Sequence, residues 1–166
     1  LTDKLSPHLP APGNHWTVRV IREDTSRSVS EPIALPGGYI FVPVRLLLSA
    51  KDEAEFAGLL AHAMAHVSEG HGFQKTAARE TDQSQPFIFL DSTTPGAAPI
   101  SILRARGLQE LEADRVAVRV MASAGYDPNA LLRSIRRMQP PAESVRIHNL
   151  EEDIEGLPPV VTSIDT

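Results

Sequence analysis

The sequence predicts an α+β fold, and three observations carry that prediction. Short segments of alternating or β-branched residues lie between Trp16 and Val44. Longer segments with helical periodicity follow them, from about Ser49 onwards. Strands first and helices afterwards is the order of an α+β domain. With 166 residues, 42% of them hydrophobic and 22% charged, the chain has the make-up of one ordinary globular domain.

Each element has a local reason. Residues 1–14 carry Pro7, Pro10, Pro12 and Gly13 and read as an extended N-terminal arm. Residues 15–155 then form a single domain. Trp16 to Arg22 (WTVRVIR) alternates with period two, as a half-buried strand does. Ser28 to Leu35 reads as a second strand, which Pro32 confines to an edge or a bulge. Pro36-Gly37-Gly38 is a turn, and Tyr39 to Val44 (YIFVPV) is a third strand, limited by Pro43. Ser49 and Asp52 form a variant capping box, and Asp52, Glu53 and Glu55 suit the positive end of a helix running to about Gly70. Residues 74–100 read as a long loop rich in Thr, Ser, Gln and Pro. A second long helix runs from about Ser101 to Ala124 and stops at Gly125. Asp127 caps a third, with Pro128 at its first position and its end near Met138. Ser144 to Ile154 is a short acidic helix, and residues 156–166 are a Pro-containing tail.

Composition excludes several classes of function. No cysteine is present, which removes disulfide scaffolds, thiolate catalysis and Cys-ligated metals together. A net charge of −5 argues against a nucleic-acid surface. The longest mostly apolar stretch, Phe56 to Val67, is broken by two histidines and falls far short of the roughly 20 residues a membrane span needs. No signal-peptide pattern opens the sequence. Because it starts at Leu1 rather than Met, it is expected to be a trimmed piece of a longer protein.

The chemistry concentrates in two helices. His62 and His66 are four residues apart in LLAHAMAHV, so their side chains stack on one helix face about 5–6 Å apart. Two imidazoles so placed can hold one Zn²⁺, or they can be buried histidines bonded to backbone; the pair alone does not decide. In the second long helix Glu110 and Asp114 interrupt a stripe formed by Leu103, Gly107, Leu111, Ala117, Val118 and Met121. Carboxylates on a core-facing stripe cost several kcal/mol unless something positive faces them. A zinc held by His62, His66 and Glu110 meets that demand, with Asp114 accepting a hydrogen bond from a ligand imidazole. A salt bridge to Arg104, Arg106 or another arginine would also meet it. Three protein ligands leave a fourth position for water, the arrangement of a catalytic zinc site.

HAMAH resembles the HExxH signature of zinc peptidases with its glutamate replaced by Ala63. The surroundings resemble one family, that of the CAAX prenyl endopeptidase and the HtpX-type and Oma-type proteases. The resemblance runs from about Ile33 to Leu150, omitting the long loop. It rests on the ALPGGYIFV strand, on His71 after four further residues, on the ExxxD of Glu110 to Asp114, on AGYDP, and on Arg146 to Leu150. It implies a compact gluzincin domain, with a small mixed sheet over an active-site helix and the ExxxD helix beneath the zinc. It also implies one Zn²⁺ per chain, a peptide or unfolded-protein substrate, and binding of that substrate along a strand edge at Gly38, Tyr39, Ile40 and Phe41. An extracytoplasmic location in a bacterial envelope is expected on the same ground.

The departure matters as much as the match. A methyl group at Ala63 takes no proton, and loss of a positioned general base costs about 10²–10⁴-fold in rate. The chain is therefore expected to bind zinc and to hydrolyse peptides poorly or not at all, with an engineered exchange favoured over natural loss. His71 is expected beside the metal site in a structural role, and Arg146 either pairs with Asp114 or serves an oxyanion. His148 is the best candidate for a residue that fills the open metal position. Two other classes of function stand beside the peptidase: a natural pseudopeptidase that binds peptides or acts as a chaperone, and a metal-free helical interaction domain.

Overall fold

The computed structural model describes residues 1–11, 15–22, 31–71, 100–138 and 144–158, with side chains for all of these except 100–106 and 144. The expected 74–100 loop, apart from its last residue, and the tail beyond residue 158 lie outside the described residues. Among those described, the elements are α1 (Thr2–Leu5), a 3₁₀ turn (Ser6–His8), β1 (Thr17–Ile21), β2 (Ile33–Leu35) and β3 (Tyr39–Pro43), followed by five helices. These are α2 (Val44–Ser49), α3 (Glu53–Ser68), α4 (Ile100–Ser123), α5 (Asn129–Met138) and α6 (Ser144–Glu155). The architecture is α+β, as the order of periodicities predicts.

The sheet is mixed, in the order β1-β3-β2. β1 runs parallel to β3, pairing Thr17 with Tyr39 and Ile21 with Pro43, and β2 runs antiparallel to it, pairing Ile33 with Phe41. β3 is therefore the central strand. That overturns the expectation of a free edge at Gly38 to Phe41. Both edges of β3 are occupied, Ile40 is fully buried, and Phe41 lies between its two strand partners. Gly38 is set against β1: its carbonyl accepts from Thr17 N at 2.9 Å, and a Cβ there would lie 2.2 Å from the His15 carbonyl oxygen. Pro43 is tolerated because it is the last residue of the strand, where a missing donor matters least.

The N-terminal residues differ from the extended arm expected of them. They coil into α1 and the 3₁₀ turn because Leu5 and Leu9, four residues apart, both drop into the core. Trp16 Nε1 donates to Ser6 Oγ at 2.9 Å and fastens the turn to the start of β1. The apolar Val44-Arg-Leu-Leu-Leu run, not foreseen as helical, forms the short α2 and buries Leu46.

α3 is the central helix, packed against β2, α4, α5 and α1. Its cap is Asp52, whose Oδ1 accepts from Glu55 N at 2.8 Å; Ser49 instead donates to the Leu46 carbonyl in the last turn of α2. Glu55 returns the cap by accepting from Lys51 N and is clamped by Arg137 of α5. Of the eleven residues from Glu55 to Ala65 all but Phe56 are buried, so α3 is covered nearly all round. Gly58 lets α5 approach. A Cβ there would sit 3.0 Å from Leu131 Cβ, 3.1 Å from Met121 Sδ and 3.2 Å from Leu131 Cα. Gly58→Ala gains about 1 kcal/mol of helix propensity but overpacks a core at a cost of about 1–3 kcal/mol. The expected result is a Tm lowered by a few degrees in thermal unfolding. A raised Tm would show that α3 and α5 have slack to separate.

Candidate metal centre

Four turns of α3 carry His62 and His66 to the place where α4 crosses it. His62 is 2% exposed, while the side chain of His66 retains 19% of its surface and that of Glu110 35%. The site is thus closed behind His62 and open on the side of His66 and Glu110. His62 Nε2 and His66 Nε2 are 3.1 Å apart. Glu110 Oε2 is 3.3 Å from the first and 3.5 Å from the second. Ligand atoms about 2.0–2.1 Å from one tetrahedral zinc lie about 3.3–3.4 Å from one another, and the three separations bracket that value. Glu110 Oε2 is also shielded from solvent and accepts no hydrogen bond. An orphaned carboxylate oxygen facing two imidazole nitrogens fits a divalent cation better than it fits a closed polar core. Among the described residues, His62, His66 and Glu110 form the one cluster with metal-ligand spacing.

The electrostatics agree with the geometry. Burial opposes a charge on His62, yet Asp114, Glu110 and Glu31 outweigh it and push its pKa up to about 10. Burial lowers the pKa of His66, with Glu110 pulling the other way. Burial would raise Glu110, but the two imidazoles facing it hold its carboxyl well below the usual range. The cluster therefore favours positive charge among its carboxylates.

Asp114 stands behind the first imidazole. It is 1% exposed, with Oδ1 2.8 Å from His62 Nδ1. Its own charge is met by Arg146 of α6, which donates from Nε to Oδ2 at 2.6 Å and from Nη2 to Oδ1 at 2.9 Å. Of the two roles open to Arg146, the structure selects the pairing with Asp114. An arginine does answer one of the two stripe carboxylates, as the salt-bridge alternative requires; it reaches Glu110 Oε2 only at 3.9 Å, farther than the two imidazoles at 3.3 and 3.5 Å. The side chains of Arg104 and Arg106 lie outside the described residues. Arg146 Nη1 also donates to Glu31 Oε1 at 2.7 Å, which brings Glu31 Oε2 to 3.9 Å from His62 Nε2.

His71 is 3% exposed, with its Nδ1 2.9 Å from His66 Nδ1 and its Nε2 3.1 Å from Glu112 Oε2. Ala63 is 1% exposed and belongs to the apolar core. His148 is not at the site: its side chain is 70% exposed and faces Glu152 one turn along α6. Two participants were missed by sequence reasoning. Glu31 carries no local pattern, and Glu112 lies off the Glu110–Asp114 stripe.

The stretch of chain that holds this site also matches known proteins. The model of peptidase family M48 matches residues 2–154. The mitochondrial metalloendopeptidase OMA1 of Schizosaccharomyces pombe is 31% identical over 130 residues, covering 74% of this chain and 37% of that protein. A putative beta-barrel assembly-enhancing protease of Vibrio cholerae is 28% identical over 141 residues, covering 70% of this chain and 29% of its own length. The OMA1 protein of Arabidopsis thaliana is 31% identical over 121 residues, 70% of this chain and 24% of its own. The chain thus spans well under half the length of these relatives. No helix among the described residues is long and apolar enough to cross a membrane. From residue 2 to residue 154, and with metal-ligand spacing at His62, His66 and Glu110, the chain belongs to peptidase family M48.

Proposed function

We propose that this domain is a zinc metalloendopeptidase unit whose hydrolytic step is disabled at position 63. The observation that carries the reading is the convergence of three Nε2 and carboxylate atoms from two helices at separations of 3.1–3.5 Å. His62, His66 and Glu110 would hold the ion, and when bound it would polarise a peptide carbonyl and the water that attacks it. The chain's own residues prepare that site. Asp114 faces the Nδ1 of His62 and so turns its Nε2 towards the trio. At position 63, where a carboxylate would take the proton of the attacking water, the buried methyl of Ala63 takes none. The substrate is an extended polypeptide. Because β3 is central, peptide pairing is assigned in place of Tyr39 to Phe41 to β2, Ile33–Leu35, which among the described residues is the outer strand packed against α3.

A second reading, a natural pseudopeptidase that binds peptides without cutting them, is favoured by one feature: the whole scaffold around the metal site is kept while the base alone is absent. The native codon for residue 63 separates the two, since glutamate supports the enzyme and alanine the binder.

The test of the metal site is elemental analysis of protein purified without chelator. About one zinc per chain is expected, falling to a small fraction in His62→Ala and Glu110→Ala. Unmodified protein that takes up no zinc when the ion is supplied in excess would remove the peptidase reading and leave the metal-free interaction domain.

A further inference from the structure

The two imidazoles of the trio are supported differently. His62 has a carboxylate directly behind its Nδ1, whereas His66 has another imidazole there, that of His71. We propose that His71 and Glu112 form a positioning relay that sets the tautomer and orientation of His66 for metal binding. The proposal rests on the metal-site reading and assigns a function to two residues which that reading does not use.

The argument is one of hydrogen placement. A neutral imidazole has one N–H and one lone pair. His66 Nε2 faces His62 and Glu110, so it must offer its lone pair to a cation, and the hydrogen then sits on Nδ1. That N–H points at His71 Nδ1, 2.9 Å away, which must be the acceptor. The hydrogen of His71 is therefore on Nε2, 3.1 Å from Glu112 Oε2, which accepts it. Each placement forces the next, and the run ends on a carboxylate, the one group in it that only accepts. The rings meet edge to face, with centroids 5.0 Å apart and planes at 70°, so the contact is directional rather than stacked. Local sequence makes it possible. α3 ends at Ser68, and Gly70, at φ 69°, reverses the chain so that His71 folds back on the helix and becomes 3% exposed. Burying a polar ring there costs free energy that both of its nitrogen contacts offset.

The test compares His71→Gln with His71→Phe. A glutamine side chain can accept from His66 Nδ1 through its oxygen and donate to Glu112 through its amide nitrogen, while phenylalanine keeps the ring and does neither. Affinity for Co²⁺ and Zn²⁺ is read by competition with a chromogenic chelator, together with the visible absorption band of bound Co²⁺. The relay predicts a loss of about 10–100-fold and an altered Co²⁺ band in His71→Phe, with most of the affinity retained in His71→Gln. The opposite ranking, with Phe tolerated and Gln harmful, means that His71 only fills space and overturns the relay. Should His71→Phe fail to fold, Glu112→Leu on the exposed face of α4 carries the test: several-fold weaker binding supports the relay, and binding equal to the parent overturns it. Failure of the underlying reading looks different, because the unmodified protein would then bind neither ion.

Discussion

Ala63→Glu is expected to turn on chelator-sensitive peptide hydrolysis, raising the rate by about 10²–10⁴-fold over the unmodified chain. The residue follows His62 on α3, and the rest of the site is in place around it. His62, His66 and Glu110 converge, and Asp114 and Arg146 hold the first imidazole from behind. On the proposed reading, what the reaction lacks is one proton acceptor. The exchange should also carry a cost in the metal-free protein. Position 63 is 1% exposed, and a carboxylate buried without a partner costs several kcal/mol. Ala63→Glu should therefore unfold at a lower temperature than the parent when stripped of metal and recover on addition of zinc. A quenched-fluorescent casein assay with and without chelator measures the gain, and Ala63→Gln serves as the control that fills the space without accepting a proton. A zinc-loaded Ala63→Glu protein that stays inert on unfolded substrates would sink the peptidase reading.

The second large effect belongs to Arg146→Ala. Asp114 is 1% exposed and Arg146 8%, and the two share a bidentate pair at 2.6 and 2.9 Å. Removing one partner of such a pair leaves a buried charge uncompensated and costs about 3–5 kcal/mol. For a domain of this size the Tm should fall by roughly 10 °C. The metal site should suffer with it, because Asp114 freed from Arg146 no longer fixes His62, and a loss of about 10–100-fold in zinc affinity is expected. Arg146→Lys should recover only part of both effects, since an ammonium group keeps the charge without the planar fork.

The pH dependence gives an independent check on that ion pair. Burial alone would raise the pKa of Asp114, but Arg146 and His62 outweigh it and hold it below the ordinary 3.8. A carboxylate with a depressed folded pKa contributes stability above its unfolded pKa and loses that contribution as the pH falls through the folded value. The gap in stability between the parent and Arg146→Ala should therefore be full at neutral pH and narrow below about pH 3.8 in denaturant titrations. A gap that stays constant into strong acid would show that Arg146 acts through packing alone.

Much of the site was legible because helical spacing is local. The four-residue interval of His62 and His66, and the same interval of Glu110 and Asp114, settle which side chains share a face before any tertiary contact exists. Two carboxylates on an apolar stripe then demand a positive partner, which either a cation held by the histidines or an arginine could supply. The termini of α4 and α5 were equally readable, since Gly125 and the Asp127-Pro128 cap act within a few residues of themselves.

The expectations that failed were long-range. Nothing in Tyr39 to Val44 says that β1, entering about twenty residues earlier, lies parallel on one side of that strand while β2 lies antiparallel on the other. Strand order depends on contacts between segments distant in sequence, so a strand read as an edge became the centre. The extended reading of the first residues failed for a related reason. Two leucines among prolines are too few to establish a period, and only the core they enter fixes the local coil of the chain.

The sequence by itself determined which ligand-type side chains share a helix face and where α4 and α5 end, because each depends on spacing within one or two turns. The tertiary structure alone decided that Arg146 clamps Asp114 across 32 residues, that Glu31 reaches the same guanidinium across 115, and that Glu112 meets His71 across 41. Such partners are chosen by which buried charges and donors the packed helices leave without water, and that becomes defined only once the chain has closed on itself.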